Sequence, residues 1–337
     1  MRNLRNLAFV TFMVFLLCAL GVSVQAQSSA SGAGKSVFSG DASQEFYMIV
    51  PLAGHEYWKG PLKGFQDAAK KLGVKAIFTG SKEYEANAEV TTFDQIVALR
   101  PAGIAVAPII APAFEAPIKR AIQAGIPVVT FDTDSPRSMR LAYCSTANLT
   151  AGEIACRTLM NTINGSGNIA LLYSTGQQNI EERVIGFKNV LAKEYPDAKI
   201  VATGDAKGDE VIGAKAVAAM LQSHPDIKAI YCGDSVSGVA AAVAVKEAGL
   251  TGKVRLLCFD TNKKTLDLVK DGTIDYTMAQ GVYNMGFWAM MFLYAVKNDV
   301  VNPLDGWKSH NINPLPAFVD TGITAVDKSN VDLFYSK

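Results

Sequence analysis

Two apolar runs with the same ending organise the hydrophobic pattern of this chain. Residues 126–131 read Ile-Pro-Val-Val-Thr-Phe and residues 254–259 read Val-Arg-Leu-Leu-Cys-Phe; each stops abruptly at Asp-Thr, at Asp132-Thr133 and at Asp260-Thr261. Runs of this length, apolar on both sides of a strand, belong in a parallel sheet covered by helices on both faces. Each aspartate is then expected just past the carboxyl end of its strand, where open α/β sheets take their ligands.

The duplication extends further. Gly64-Phe65 and Gly186-Phe187 each lie at an amphipathic run, and Ile104-Ala105-Val106-Ala107 pairs with Ala229-Ile230-Tyr231-Cys232 as a second set of strands. The offset stays near ~125 positions throughout, the mark of a repeated α/β unit. The first unit alternates strand 46–50, a loop to 58, helix 58–72, strand 74–79, helix 85–99, strand 103–107, helix 112–124 and strand 127–132. Gly73, Pro101, Gly125 and Pro127 fall at the boundaries, as stop and turn signals should. The second unit has strands near 168–173, 199–203, 228–232, 254–259 and 274–279. A last helix, 283–298, carries Tyr283, Phe287, Trp288, Met291 and Tyr294, a stripe expected in the core. The alternation predicts right-handed crossovers and parallel sheets: an α/β protein of two Rossmann-like, doubly wound lobes.

The start of the chain differs. Arg2 and Arg5 precede an apolar stretch over 7–20, and Val24-Gln25-Ala26 ends it. This predicts a secretory signal peptide over 1–26, cleaved after Ala26, and an exported, periplasmic protein. Residues 27–44, rich in Ser, Gly and Ala, read as a flexible linker.

Composition narrows the chemistry. The chain has 337 residues, 49% of them apolar, and a formal net charge of +1. Without a basic cluster, nucleic acid is not a partner. Of five cysteines, Cys18 lies in the leader; Cys144, Cys156, Cys232 and Cys258 show no metal spacing and read as free buried thiols, although Cys232 and Cys258 could be neighbours. His55, His224 and His310 are too scattered for a zinc site. No G-x-S-x-G, no G-x-G-x-x-G after a first strand and no phosphate-loop lysine is present. Catalytic residues, metal ligands and cofactors are therefore not expected, and a secreted α/β enzyme is the weaker alternative.

Polar and aromatic residues gather instead at the predicted strand mouths: His55, Tyr57, Trp58, Asp132, Asn148, Arg183, Asp234, Phe259, Asp260 and Gln280. Planar Asp, Asn, Gln and Arg groups engage vicinal hydroxyls in pairs, and Tyr57, Trp58 and Phe259 can cover the C–H faces of a sugar ring. Arg183, three residues before Gly186-Phe187, is expected on a loop at the cleft mouth, held by Asp234 or Asp260.

From about Phe46 onward the chain resembles a periplasmic sugar-binding protein of an ABC transporter, in the type I, ribose-binding-like family. The likeness rests on Val128-Val129-Thr130-Phe131-Asp132, Arg183-Val184-Ile185-Gly186-Phe187, His224-Pro225-Asp226, Cys232-Gly233-Asp234, Phe259-Asp260, Met278-Ala279-Gln280, Asp320-Thr321-Gly322-Ile323-Thr324 and Asn330-Val331-Asp332. The resemblance implies a three-segment hinge, with crossings near 145–148, 280–282 and 312–320. It implies an N-terminal lobe of 45–146 plus 282–312 and a C-terminal lobe of 147–281 plus 313–337. It assigns stacking to Tyr57 and Trp58, hydroxyl binding to Asp132, and polar contacts to Arg183, Asp234, Asp260 and Gln280. The implied partners are a sugar or polyol and an ABC permease, for a monomer that could also present its ligand to a chemoreceptor. His55 in place of an Asn, Ala107 in place of a polar residue and Thr133 in place of an Arg depart from the ribose binders, so the sugar stays open.

Overall fold

The protein is described here from a computed structural model covering residues 38–302, 309–310 and 312–335. The signal peptide, its cleavage after Ala26 and linker residues 27–37 lie outside them. The described end of the linker is tied down: Gly40 donates its N–H to the Leu72 carbonyl (2.7 Å) and Gln44 donates to the Asn298 side chain (2.7 Å). A flexible linker reaching 44 is therefore too long.

The first half contains β1 (Glu45–Val50), β2 (Lys75–Gly80), β3 (Gly103–Val106), β4 (Val128–Phe131) and β5 (Tyr143–Ser145), with α1 (Lys59–Leu72), α2 (Ala86–Ala98) and α3 (Glu115–Gln123) between them. The second contains β6 (Gly167–Tyr173), β7 (Ala198–Asp205), β8 (Ile227–Cys232), β9 (Arg255–Phe259) and β10 (Tyr276–Gln280). Its helices are α4 (Asn148–Thr162), α5 (Gln178–Glu194), α6 (Glu210–Ser223), α7 (Ser235–Glu247) and α8 (Lys263–Asp271). The tail adds α9 (Val282–Lys297), β11 (Phe318–Asp320) and β12 (Ile323–Val326).

Two six-stranded sheets result, ordered β11-β5-β4-β3-β1-β2 and β12-β10-β9-β8-β6-β7. All pairings are parallel except β10 with β12. Both faces of each sheet are covered, which explains the unbroken apolar runs. In β1, Phe46, Met48 and Val50 enter one core cluster while Tyr47 and Ile49 enter another. In β6, Ala170 and Leu172 face one side and Ile169 and Leu171 the other. The anticipated two-lobed α/β architecture is thus present.

Two helix pairs also repeat. α1 packs on α9 through Gly64 and Gly286, and α4 packs on α5 through Gly152 and Gly186. At each of the four a Cβ would collide with a backbone carbonyl oxygen of the facing helix. Side chains there would force the helices apart.

Three expectations change. Strand β11 fills the open edge beside β5, with Phe318 opposite Tyr143 and Asp320 opposite Ser145. An unpaired edge leaves backbone groups unsatisfied, and this tail segment meets them. The last crossing therefore falls at Thr321 and Gly322, beyond the 312–313 boundary implied by the resemblance. The α9 stripe is only partly core: Tyr294 is buried, whereas Trp288 is 42% exposed and Tyr283 39%. Met285, Ala289, Met290 and Leu293 supply the inward seam, Phe287, Met291 and Phe292 pack half-buried against it, and rings 283, 287, 288 and 292 touch in succession. Finally, Gln178–Glu194 is helical throughout, which places Arg183 inside α5 and off the predicted loop. The cysteines agree with expectation: all four are free and buried, and the β8–β9 register puts Cys232 and Cys258 next to each other.

Candidate functional site

The strands β4 and β9 deliver Asp132 and Asp260 at their carboxyl ends, both in the left-handed region at φ 61° and 73°. Few residues other than glycine accept that conformation, and Asp is among them. Neighbouring strands lock it. The Asp132 N–H donates to Cys144 O (3.2 Å), and its carbonyl accepts from Tyr143 Oη (2.7 Å) and Ser145 Oγ (3.0 Å). The Asp260 N–H donates to Met278 O (3.0 Å), and its carbonyl accepts from Thr277 Oγ1 (2.7 Å).

The carboxylates are set alike. The Tyr57 hydroxyl donates to Asp132 Oδ1, and Gln280 Nε2 donates to Asp260 Oδ1 (2.7 Å). The Oδ2 atoms of both have no hydrogen-bond partner among the described residues, which leaves an acceptor on each for a ligand. Burial pushes the Asp132 carboxyl up to about 6, against the Tyr57 hydrogen bond and the Arg183 charge. Burial likewise raises Asp260, with Arg183 and the Gln280 bond opposing and Asp234 adding to the rise, while Asp260 in turn raises Asp132. Tyr57 is held well above the usual phenol range by burial and by these two carboxylates.

Arg183 is only 2% exposed. Its Nε donates to Asn148 Oδ1 (2.9 Å), Nη1 donates to the Gly233 carbonyl (3.3 Å), and the guanidinium carbon stands 4.4 Å from the centre of the Phe259 ring. The expected Asp partner is replaced by an amide, a carbonyl and an aromatic face, all of which suit a planar cation. Asp234 is otherwise engaged. It caps α7, accepting from Ser237 N (2.8 Å) and Ser237 Oγ (2.9 Å), and accepts from Ser174 N (2.8 Å). An aspartate before a helix is a natural N-cap, so the glycine-aspartate mouth in the sequence marks a helix start.

The aromatic residues divide. Tyr57 reaches Asp132. Trp58, 7% exposed, packs edge-on against Tyr57 (5.0 Å) and Phe131 (6.0 Å). Phe259 is fully buried beneath Arg183, so in this form it backs the guanidinium. His55 is exposed and caps the turn Glu56–Trp58, Nδ1 accepting from Tyr57 N (3.2 Å); it is near enough to lower Asp260. Tyr143, Ser145 and Thr277 escaped sequence reasoning. Hydroxyl residues are ordinary in strands, and nothing local distinguishes these three. Among the described residues no group of three or more His, Cys, Asp or Glu could hold a metal ion.

Residues 46–299 match the periplasmic binding protein domain. The chain is 38% identical to an arabinose binding protein from Geobacillus stearothermophilus, with a TM-score of 0.82 over 87% of this chain and 99% of that one. A solute binding protein of an ABC transporter from Burkholderia graminis, solved in complex with D-arabinose, is 31% identical, with a TM-score of 0.77 over 88% and 100%. A xylose/arabinose-binding protein of Sulfolobus acidocaldarius is 27% identical across 80% of this chain and 67% of its own length. With two sheets, paired aspartates and this coverage, the chain belongs to the periplasmic binding protein family.

Proposed function

We propose that this protein captures a monosaccharide or polyol between its two lobes in the periplasm and delivers it to the permease of an ABC importer. The observation that carries the reading is the pair Asp132 and Asp260, one from each sheet, with Arg183 between them in charge and an acceptor oxygen spare on each. Two carboxylates and a guanidinium fork can take several hydroxyls at once. Tyr57 and Gln280 orient the carboxylates; Asn148 and Phe259 aim Arg183; Trp58, His55 and Asp234 support the walls.

In this reading the described residues of the lobes are 45–145 with 282–302 and 312–320, and 147–280 with 323–335. The three crossings form the hinge. They are laced together: Thr321 N donates to Ser145 O (2.9 Å), Gly281 N to Gly322 O (3.0 Å), and Ala147 N to Asp320 Oδ1 (3.0 Å). A ligand that touches both walls only when they meet shifts the population to the closed form. That takes on the order of 5 kcal/mol of differential binding, within reach of a few charge-assisted hydrogen bonds of ~1.5–3 kcal/mol each.

The test is a thermal-shift panel of pentoses, hexoses, deoxysugars, amino sugars and polyols on the full mature chain, followed by calorimetry. A ligand at a thousandfold excess over its Kd stabilises by about 4 kcal/mol. Silence across the panel overturns the proposal.

A further inference from the structure

Thr133, which follows Asp132, and Asn148, which holds Arg183, line a cavity of about 660 Å³. Both halves of the molecule line it, with Tyr84 and Tyr143 from one and Gln177 and Asn179 from the other. Pockets of ~300–1,000 Å³ hold drug-sized molecules, more than the single ring that the Asp132–Asp260 pair would take.

Two observations point to what fits. Tyr84 and Phe318, also on the lining, are 62% and 43% exposed. Exposed rings beside a polar cavity offer apolar faces to sugar C–H groups while their surroundings stay wet. Gln177 and Asn179 add planar amides able to donate and accept toward neighbouring hydroxyls. Among the described residues, Tyr84, Phe318, Gln177 and Asn179 make no hydrogen bond to Asp132, Arg183 or Asp260.

We propose that this cavity is a second saccharide subsite, so that the protein accepts a disaccharide or glycoside whose terminal ring sits against Asp132, Arg183 and Asp260. The inference rests on the sugar-binding reading above and extends its ligand class.

The experiment is calorimetry of the mature protein with arabinose against arabinobiose, xylose against xylobiose and galactose against galactobiose. Parent and Tyr84→Ala proteins are compared; among the described residues Tyr84 makes no hydrogen bond to Asp132, Arg183 or Asp260, and loss of its exposed ring leaves the core intact. The disaccharide of a bound sugar is expected to bind within about tenfold of the monosaccharide or tighter, and Tyr84→Ala to weaken the disaccharide by about tenfold while changing the monosaccharide less than about twofold. Binding of the monosaccharide with its disaccharide more than about tenfold weaker means that the cavity holds only water, and overturns the subsite. An equal effect of Tyr84→Ala on both sugars does so too. Silence with all six saccharides and with the whole panel removes the sugar-binding reading itself, and the subsite with it.

Discussion

Asp132 and Asp260 occupy the same place in two different sheets, each in the left-handed conformation one residue past its strand, and each with one carboxylate oxygen held by a neutral donor. The strain is shared and so is its relief: hydroxyls from the next strand hold both carbonyls. Strained backbone of this kind persists only where surroundings over-determine it, and it gathers at functional sites. The duplicated aspartate is thus the structural trace of the duplicated unit.

Arg183 is the residue on which ligand affinity should depend most. Arg183→Ala is expected to weaken the best sugar of the panel by roughly 2–5 kcal/mol, since two buried carboxylates lose their nearby cation. Arg183→Lys keeps the charge but cannot reach Asn148 Oδ1 and Gly233 O in the same fork, so it should recover little. Calorimetry decides; binding of Arg183→Ala within about threefold of the parent, ~0.7 kcal/mol, would remove it from the site.

Tyr57→Phe deletes only the hydroxyl on Asp132. A hydrogen bond to a charged group is worth ~1.5–3 kcal/mol, and this one holds the Asp132 pKa down. Sugar affinity should fall, and its acid midpoint should move above that of the parent. Affinity measured against pH in both proteins checks this; coincident midpoints would refute it.

Stability without ligand should fall as pH rises. Burial raises Asp132 to about 6 and Glu89 to about 8, the latter accepting a single hydrogen bond, from Ile109 N (2.9 Å). An acid whose folded pKa is raised favours the protonated folded form. Its contribution is complete below the unfolded value near 4 and is lost as pH climbs through the folded one, about 6 for Asp132 and about 8 for Glu89. The ligand-free Tm should therefore be lower near pH 9 than near pH 5. Glu89→Gln, a neutral isostere, should flatten the upper part of that decline. An identical slope in parent and variant between about pH 6 and pH 9 would show that Glu89 does not titrate there.

Gly152→Ala places a methyl group against the Arg183 carbonyl in the α4–α5 contact. Separating the helices should cost about 1–3 kcal/mol and draw Arg183 away from Asn148. Urea unfolding and calorimetry should both register the change. Full stability with full affinity would mean that the crossing yields without moving the site.

The native thiols should be inert. Burial lifts Cys144, Cys156 and Cys258 to about 12. A thiol reagent should label the folded protein slowly and label all four cysteines after unfolding; fast labelling of Cys232 or Cys258 in native protein would contradict their burial.

The sequence by itself determined β1 to β4 and β6 to β10, the two lobes and the position of both aspartates, but not the short strands β5, β11 and β12. Those features are local: an apolar run covered on both faces leaves its mark residue by residue, and its abrupt polar end marks the sheet mouth. Gln280, too, was legible from its place at the end of a predicted strand. Only the tertiary structure decided what each polar group touches. Arg183 went to Asn148, Gly233 and Phe259 because α4 and α5 meet at glycine, a contact between segments remote in sequence. Asp234 became a helix cap because its carboxylate could meet Ser237 and Ser174. Strand β11 joined the first sheet because β5 offered an open edge. Which part of the α9 aromatic stripe stayed outside depended on how α9 lies against α1 and the first sheet. Periodicity reports how far a position is buried, whereas a hydrogen-bond partner is chosen by packing between distant elements, and no local pattern encodes that choice.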